Sequence, residues 1–392
     1  MRVIALALLL LAGGAQGTTA QSRTDLEQCQ GKDAKAAIPA CTRLISGGKP
    51  GGAEQQQAFH NRGKAFFLTG DYRRAIADFS EAIRLKPDDA KAHHNRGVAH
   101  FRQKALDLAI ADYSEAIRLR PGDASSFANR AAAYAAKGED GRAFADYDEA
   151  IRLQPGDAKN FLLRGIAYDM KGDHARAIAD YSAAIRLTPS EANVLKLRAD
   201  AYMMTADLDR AIADYGAAIR LRPGDAAMHR LRGDAHKAKG ALDRAIADYS
   251  DAIRLKPDFA EAFNNRGNAY DDIGKFERAI ADFSQAIRLQ PRYAKAFYNR
   301  ATAYAGKGDF DRAIADYNEA IRFNPNDAEA FNNRGNCHKR KGALDRAIAD
   351  YTQAIGLRPD FAAAFMNRGL AYRLKGDEAR AGADFEAAGR LQ

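Results

Sequence analysis

The chain has 392 residues and carries 60 lysines and arginines against 51 aspartates and glutamates, a formal net charge of +9. Because the two signs of charge are interleaved along the chain, this excess is weak evidence for a nucleic-acid partner. Prolines recur every 34 residues from Pro87 to Pro359. A fixed period of this size predicts a repeat array and excludes an estimate of separate globular domains from length alone.

Residues 1–20 are predicted to be a secretory signal peptide. Arg2 precedes an apolar run from Val3 to Ala12, small residues follow, and cleavage is expected between Ala15 and Ala20. The run is too short for a membrane span, and no later segment is long and apolar enough to be one. We therefore expect a periplasmic or secreted mature protein.

Residues 21–55 are predicted to be a truncated first repeat followed by a glycine-rich loop. Cys29 and Cys41 lie 12 residues apart in this segment, where two short antiparallel helices could bring them together. In an oxidising compartment this arrangement favours a disulfide. The alternatives are two small buried side chains, or a metal site that lacks the usual ligand spacing.

Ten units follow over residues 56–392, and each is predicted to be a helical hairpin. In the first unit Phe59, Gly63 and Phe66 recur at the spacing of one helix face, which defines helix A. Helix A ends near a glycine in eight units, and helix B carries Ala75 on its apolar stripe and ends before the repeated proline. Because one hairpin buries too little apolar area to fold alone, stability must come from stacking.

The last unit is predicted to be a C-terminal cap. Gly382 and Gly389 stand where other units carry larger apolar residues such as Ile83. The face that would receive a further repeat is thereby stripped, which a solenoid needs in order to stay soluble.

The unit from Ala260 to Tyr293 resembles the tetratricopeptide repeat. Seven of its residues occupy the signature positions of that family, in the order aromatic, glycine, tyrosine, alanine, aromatic, alanine and proline. They are Phe263, Gly267, Tyr270, Ala279, Phe283, Ala286 and Pro291. The resemblance covers residues 56–392 and implies an all-α, right-handed superhelical solenoid of stacked antiparallel helix pairs. It also implies that the A helices line a concave groove, which in this family usually holds a peptide or partner segment.

One departure from the family pattern is an arginine, such as Arg62, just before the small residue of helix A in all ten units. Helix B carries a column of aspartates, such as Asp78, at one equivalent position in all ten units. Both columns flank the apolar stripe, so we expect a ladder of ion pairs that holds the stack together. A catalytic carboxylate would not be repeated ten times without a partner that varies.

Four histidines form two pairs seven residues apart, His93 with His100 and His229 with His236, a spacing that suggests metal ligands. They occupy the columns of the core aromatics, however, so we interpret them as replacements for those aromatics. No metal site is expected.

A column of asparagines lies two residues after the first aromatic of helix A and therefore faces away from the core. Its members are Asn61, Asn95, Asn129, Asn265, Asn299, Asn333 and Asn367. Hairpin packing alone does not require a short amide there, and an amide can bind a peptide backbone regardless of side chain. The column resembles the asparagine ladder of a known groove in this family, which predicts a peptide-binding groove. A solvated or helix-capping role is the alternative.

The asparagine column is interrupted in the fourth to sixth units by leucines, within an apolar patch that contains methionine. The members of this patch are Leu162, Leu163, Ile166, Met170, Leu197, Met203, Met204 and Leu231. An apolar patch midway along a polar groove suits an anchor side chain of a partner. A self-association surface or simple sequence drift would produce the same pattern.

These patterns predict a non-enzymatic interaction scaffold that binds an extended peptide segment of a cell-envelope partner in the concave groove. No nucleophile, acid–base pair or metal set remains once the repeated columns are subtracted, so no catalytic residue and no cofactor is expected. Nucleic acid is not expected as a partner, because most lysines and arginines lie in the arginine column and at the ends of the B helices. A nucleic-acid or polyanion-binding protein and a self-assembling structural scaffold are the alternatives. The partner's identity and the oligomeric state stay open.

Overall fold

The structure, a computed structural model, describes residues 23–47 and 52–391. The predicted signal peptide and part of the glycine-rich loop lie outside the described residues. Every regular element over the described ranges is a helix, and α1 covers residues 23–30.

The remaining helices follow in chain order with short turns between them. They are α2 (Ala34–Gly47), α3 (Ala53–Leu68), α4 (Tyr72–Leu85), α5 (Ala90–Arg102), α6 (Leu106–Leu119), α7 (Ala124–Lys137), α8 (Asp140–Leu153), α9 (Ala158–Met170), α10 (His174–Leu187), α11 (Ala192–Met204), α12 (Leu208–Leu221), α13 (Ala226–Ala238), α14 (Leu242–Leu255), α15 (Ala260–Asp272), α16 (Phe276–Leu289), α17 (Ala294–Gly306), α18 (Phe310–Phe323), α19 (Ala328–Arg340), α20 (Leu344–Leu357), α21 (Ala362–Leu374) and α22 (Glu378–Arg390). From α3 onward, odd-numbered helices are A helices and even-numbered helices are B helices.

The chain divides into two compact units, unit 1 (Met1–Pro189) and unit 2 (Ser190–Gln392). Within each unit, each A helix packs against the B helix that follows it, and that B helix packs against the next A helix of the same unit where there is one. The prediction of an all-α fold built from stacked antiparallel helix pairs is confirmed. None of the helices in the described residues combines the length and the apolar character needed to cross a membrane.

The turns between helix A and helix B require a left-handed backbone residue. Eight of the ten turns supply a glycine with positive φ, for example Gly70 at 83°. At the equivalent positions in the other two turns, Lys104 has φ of 62° and Ala206 has φ of 58°. Since a left-handed conformation brings Cβ close to the backbone, these two turns are strained in a way that the other eight are not.

The core of each hairpin depends on a small residue of helix A that lies against an aromatic ring of helix B. A Cβ atom added to Gly63 would lie 2.8 Å from the ring of Phe79, and one added to Gly267 would lie 2.6 Å from the ring of Phe283. The two helices therefore approach more closely than larger side chains would allow. This contact explains why the columns of small and aromatic residues recur together.

The segment that precedes the ten repeats, with helices α1 and α2, packs onto the first repeat through a small cluster of its own. The sulfur atoms of Cys29 and Cys41 are joined as a disulfide between α1 and α2, and both residues are buried against Ala40 and Ala58. Cys337 is also buried, in a cluster with Ala301 and neighbouring residues, and burial raises the pKa of its thiol to about 11. The thiol of Cys337 is thus held protonated, as suits a side chain that fills an alanine position.

Candidate functional site

The arginine and aspartate columns form an ion pair inside every hairpin. In the first repeat Arg62 Nε lies 2.8 Å from Asp78 Oδ2, and Arg62 Nη2 lies 2.8 Å from Asp78 Oδ1. The same two-point pairing occurs in all ten repeats, and the ten aspartates are buried. The ten pairs are Arg62–Asp78, Arg96–Asp112, Arg130–Asp146, Arg164–Asp180, Arg198–Asp214, Arg232–Asp248, Arg266–Asp282, Arg300–Asp316, Arg334–Asp350 and Arg368–Asp384.

In at least eight of the ten arginines a third nitrogen, Nη1, donates to a side chain of the segment that precedes the repeat. Arg96 Nη1 donates to Ser80 Oγ at 3.1 Å, and Arg300 Nη1 donates to Ser284 Oγ at 2.9 Å. One guanidinium therefore links the B helices of two consecutive repeats. The predicted ladder of ion pairs is confirmed, and its role is to hold adjacent hairpins together.

The four histidines spaced in pairs lie at the positions of the core aromatics, as predicted. In unit 1, His93 Nδ1 lies 3.6 Å from Asp112 Oδ1 and His100 Nε2 lies 3.8 Å from Asp112 Oδ2. In unit 2, His229 and His236 flank an aspartate in the same way. Burial lowers the pKa of both His100 and His236, which favours the neutral imidazole.

One group of side chains in the described residues has an arrangement that could hold a metal ion. It consists of His229, Asp248 and Asp251, whose potential ligand atoms lie within 4.8 Å of one another. Both carboxylate oxygens of Asp248, however, accept hydrogen bonds from Arg232. A divalent cation would have to compete with that guanidinium, so the geometry favours the ion pair.

The asparagine column is tied to the preceding A helix. Five members place their amide nitrogen 2.9–3.3 Å from a side-chain acceptor 35 positions earlier in the chain. The five pairs are Asn95 with His60, Asn129 with His94, Asn299 with Asn264, Asn333 with Tyr298 and Asn367 with Asn332. The expectation that packing does not require an amide here needs correction, because the amide satisfies an acceptor across the repeat interface.

The two remaining asparagines have different partners. Asn265 Nδ2 donates to Asp234 Oδ1 at 2.8 Å, because the residue 35 positions before it is Arg230, which is not an acceptor. Asn61 belongs to the first complete repeat, and its Oδ1 accepts from Gln57 within the same helix. Both side chains remain half-buried.

The residue 35 positions earlier also accounts for the leucines that interrupt the asparagine column. The residues 35 positions before the three leucines are Ala128, Leu162 and Lys196, and none of these side chains can accept a hydrogen bond. Within unit 1, Leu163 packs against the cluster that contains Ala128. A leucine therefore fills by apolar contact the position that an asparagine fills by hydrogen bonding.

In unit 2 the asparagines extend into a buried chain of amides. Asn299 donates to Asn264, Asn264 donates to Asn265 at 3.2 Å, and Asn265 donates to Asp234. Asp234 also accepts from the hydroxyl of Tyr249 at 2.8 Å. Because Asn264 is 0% exposed, this network belongs to the interior of the repeat interfaces, while Asn265 and Asn299 keep part of their surface in solvent.

The predicted apolar patch has members in both unit 1 and unit 2. In unit 1, α9 carries four members, of which Met170 is 82% exposed and the others are half-buried. In unit 2, α11 and α13 carry the other four, of which Met204 is 69% exposed. The leucines thus lie mainly in the packing between repeats. Met170 and Met204 are the members of the patch that a partner could reach.

Two open cavities lie on the A helices, one in each unit, and each has a member of the asparagine column in its wall. The cavity in unit 1 has a volume of about 340 Å³. Its wall includes His60, Lys64, Lys91, His94, Asn95, Arg120 and Asp123. The cavity in unit 2 has a volume of about 640 Å³. Its wall includes Arg230, Asp234, Lys237, Glu261, Asn265, Tyr293 and Lys295.

Comparison with solved structures finds chains to which this one is similar. A tetratricopeptide repeat protein from Parabacteroides merdae has a TM-score of 0.51 and 21% identity, covering 60% of this chain and 93% of that chain. A structure of MamA has a TM-score of 0.39 and 30% identity, covering 41% of this chain and 93% of that chain. YrrB, described as a TPR protein with an unusual peptide-binding site, has a TM-score of 0.40 and 26% identity, covering 45% of this chain and 92% of that chain.

No curated protein sequence matches the chain. The tetratricopeptide repeat model matches residues 60–124, 129–192, 264–328, 298–356 and 332–391. A second model, described as TPR repeat, matches residues 233–274. These matches cover more than half of the chain, and the chain therefore belongs to the tetratricopeptide repeat family.

Proposed function

We propose that this protein is a non-enzymatic scaffold that binds an extended segment of a cell-envelope partner along its A helices. Tetratricopeptide repeat proteins bind protein partners and are generally not enzymes.

The observation that carries the proposal is the position of the two cavities. Both open on A helices, and Asn95 in unit 1 and Asn265 in unit 2 lie in their walls. The amide nitrogen of each donates one hydrogen bond to the preceding repeat, and Asn265 Oδ1 also accepts from Asn264. These bonds fix the orientation of both amides and leave the second N–H of each for a ligand. A peptide backbone lying across these walls would meet amides that are already ordered.

The energy of such contacts sets the expected affinity. A hydrogen bond contributes about 1 kcal/mol net, and an extended ligand loses conformational freedom when it binds. A few amides alone therefore support weak binding. Selectivity must come from the charged and apolar side chains of the cavities.

The proposed location is outside the cytoplasm. Residues 1–20 have the pattern of a secretory signal, and the Cys29–Cys41 disulfide is of a kind that persists in oxidising compartments. A partner in the cell envelope or secreted fraction follows from that location.

The test uses leucine substitutions, because leucine occupies this column naturally in three repeats. The full chain and its Asn95→Leu and Asn265→Leu variants are used for cross-linking capture from the native envelope fraction, and bound peptides are sequenced. We expect the variants to recover the partner several-fold less than the unmodified chain. Equal recovery by variants that melt like the unmodified chain would exclude the A-helix surface.

A matched control removes an amide outside the cavities. Asn193→Leu changes an exposed asparagine that lies in neither cavity wall. Recovery of the partner should be unchanged by it. A loss equal to that of Asn95→Leu would show that the effect is not specific to the proposed surface.

A further inference from the structure

We propose that the cavity of unit 1 binds acidic side chains of the partner segment, with an apolar side chain of the same segment held beside them. This inference rests on the proposed function, since it states the chemistry of the segment that the A helices receive. It is carried by the charges and shapes of two adjoining cavities.

The first observation is that cations from three elements converge on one cavity. Lys64 comes from α3, Lys91 from the start of α5, and Arg120 from the end of α6. In the part of the chain that the structure describes, none of the three has a carboxylate within ion-pair distance. The sole acid in the cavity wall, Asp123, already accepts a hydrogen bond from Ser126 Oγ at 2.6 Å. Like charges held around one concave surface attract anions to it.

The floor of this cavity is held in place by hydrogen bonds. Asn95 Nδ2 lies 3.1 Å from His60 Nε2, and Asn129 Nδ2 lies 3.3 Å from His94 Nε2. His94 Nδ1 lies 2.7 Å from Ser126 Oγ, and burial lowers the pKa of His94, which favours its neutral form. The lysines and the arginine are the cations of the wall that can meet an anionic ligand.

The second observation is a small apolar cavity beside the basic one. It has a volume of about 150 Å³ and shares Lys64 and Asn95 with the basic cavity. Its remaining wall is made by Phe67, Leu68, Phe79 and Val98. A ligand that neutralises Lys64 would place its neighbouring residue over these rings, so the fitting segment has an apolar residue flanked by acidic residues.

The cavity in unit 2 lacks this unbalanced charge. Arg230 Nη1 lies 2.5 Å from Asp234 Oδ2, and Lys237 Nζ lies 3.1 Å from Asp272 Oδ2. Lys295 is the third cation of the same wall, and Glu261 adds a carboxylate that offsets its charge. Acid selectivity is therefore assigned to unit 1 alone.

The binding experiment uses the full chain and a fluorescent peptide in which glutamates flank a single leucine. The peptide is acetylated and amidated at its ends, so that its charge comes only from side chains. Fluorescence anisotropy at neutral pH should show saturable binding that weakens as salt increases. Replacing the glutamates by glutamine should weaken binding by about tenfold or more, and replacing the leucine by serine should weaken it less.

The protein variants locate the site. Lys64→Gln and Lys91→Gln should each lower the affinity for the acidic peptide by about threefold to tenfold. Arg73→Gln is the matched control, because it removes an exposed cation from α4 in the same unit and lies outside both cavity walls. Circular dichroism and thermal melting should confirm that all three variants are folded.

Three results would overturn the inference. They are equal binding of the glutamate and glutamine peptides, equal losses in Lys64→Gln and Arg73→Gln, and binding that requires a free terminal carboxylate. Tight, salt-sensitive retention of DNA or heparin that Lys64→Gln abolishes, without binding of the peptide, would replace the acidic segment by a polyanion. If envelope partners are captured through Asn265 while the acidic peptide fails to bind, the inference is wrong and the proposed function stands.

Discussion

Unit 1 and unit 2 use the same asparagine column with different acceptors. In unit 1, Asn95 and Asn129 meet the imidazoles of His60 and His94. In unit 2, three asparagines donate to amide or phenol oxygens instead, as Asn299 does to Asn264. The column is thus one half of a pair whose other half lies 35 residues earlier. Comparing the two units shows that the identity of this earlier residue decides which polar groups the repeat interface contains.

The largest loss of stability is expected from substitutions at the buried ion pairs, where unit 1 and unit 2 are most alike. Asp112→Ala in unit 1 and Asp282→Ala in unit 2 each leave a half-buried guanidinium without its carboxylate, and each should cost about 3–5 kcal/mol. Hydrogen exchange resolved along the chain measures the loss in each unit separately. Asp88→Ala, at an exposed aspartate, should cost little. Losses as small as those at Asp88 would mean that the ladder does not hold the stack.

A second experiment breaks the pairing rule itself. Asn299→Leu removes the donor to Asn264 Oδ1, and leaving this buried oxygen unsatisfied should cost about 1–3 kcal/mol. Combining it with Asn264→Ala copies the natural pair of Ala128 and Leu163, so the double variant should be more stable than the sum of the single effects. Urea unfolding of the four proteins gives the coupling energy. Additive effects would refute the interpretation of these positions as a pair.

A smaller and stabilising effect is expected at the two strained turns, one in each unit. Lys104→Gly in unit 1 and Ala206→Gly in unit 2 place glycine where φ is positive, as in the other eight turns. Each substitution should stabilise its hairpin by about 0.5–1 kcal/mol, because relief of the left-handed strain exceeds the entropy cost of glycine. Thermal melting measures it. A lower melting temperature for both variants would contradict the strain assigned to these turns.

The smallest effect concerns pH. Burial holds the pKa of His100 in unit 1 and of His236 in unit 2 below the ordinary value of 6.5, so the unfolded chain binds protons more readily than the folded chain. The corresponding stability is fully present above that ordinary value and is lost as pH falls through the lowered folded value. Melting temperatures between neutral and mildly acidic pH should therefore fall. His100→Phe with His236→Phe, which restore the aromatic column, should reduce the slope, and an unchanged slope would assign it to other groups.

Much of the scaffold could be predicted from the sequence because its determinants repeat. The glycine turns, the small residues under Phe79 and Phe283, and the arginine and aspartate columns all recur at the repeat period. Helix periodicity then places them on known faces. The pairing of these columns was predicted for the same reason, and the structure adds the link from each arginine to the preceding B helix, for example from Arg96 to Ser80.

The partners of the asparagines were missed because their spacing is the repeat period plus one. The offset of 35 residues belongs to the contact between two stacked A helices, and no single helix contains it. The signal was nevertheless present in the sequence, since an acceptor stands 35 residues before five of the seven asparagines and before none of the three leucines. A search for residues that vary together at that offset would have found it.

The amino-acid sequence alone indicates a stack of helical hairpins, because the period, the helix ends and the core columns follow from local chain chemistry repeated ten times. Which surface residues lie together depends on the tertiary structure. Lys64, Lys91 and Arg120 are each an ordinary exposed cation in the sequence, and stacking of the hairpins brings them around one cavity. The physical reason is that a binding surface in a repeat array is shared between neighbouring repeats, so its chemistry depends on contacts that no single repeat contains.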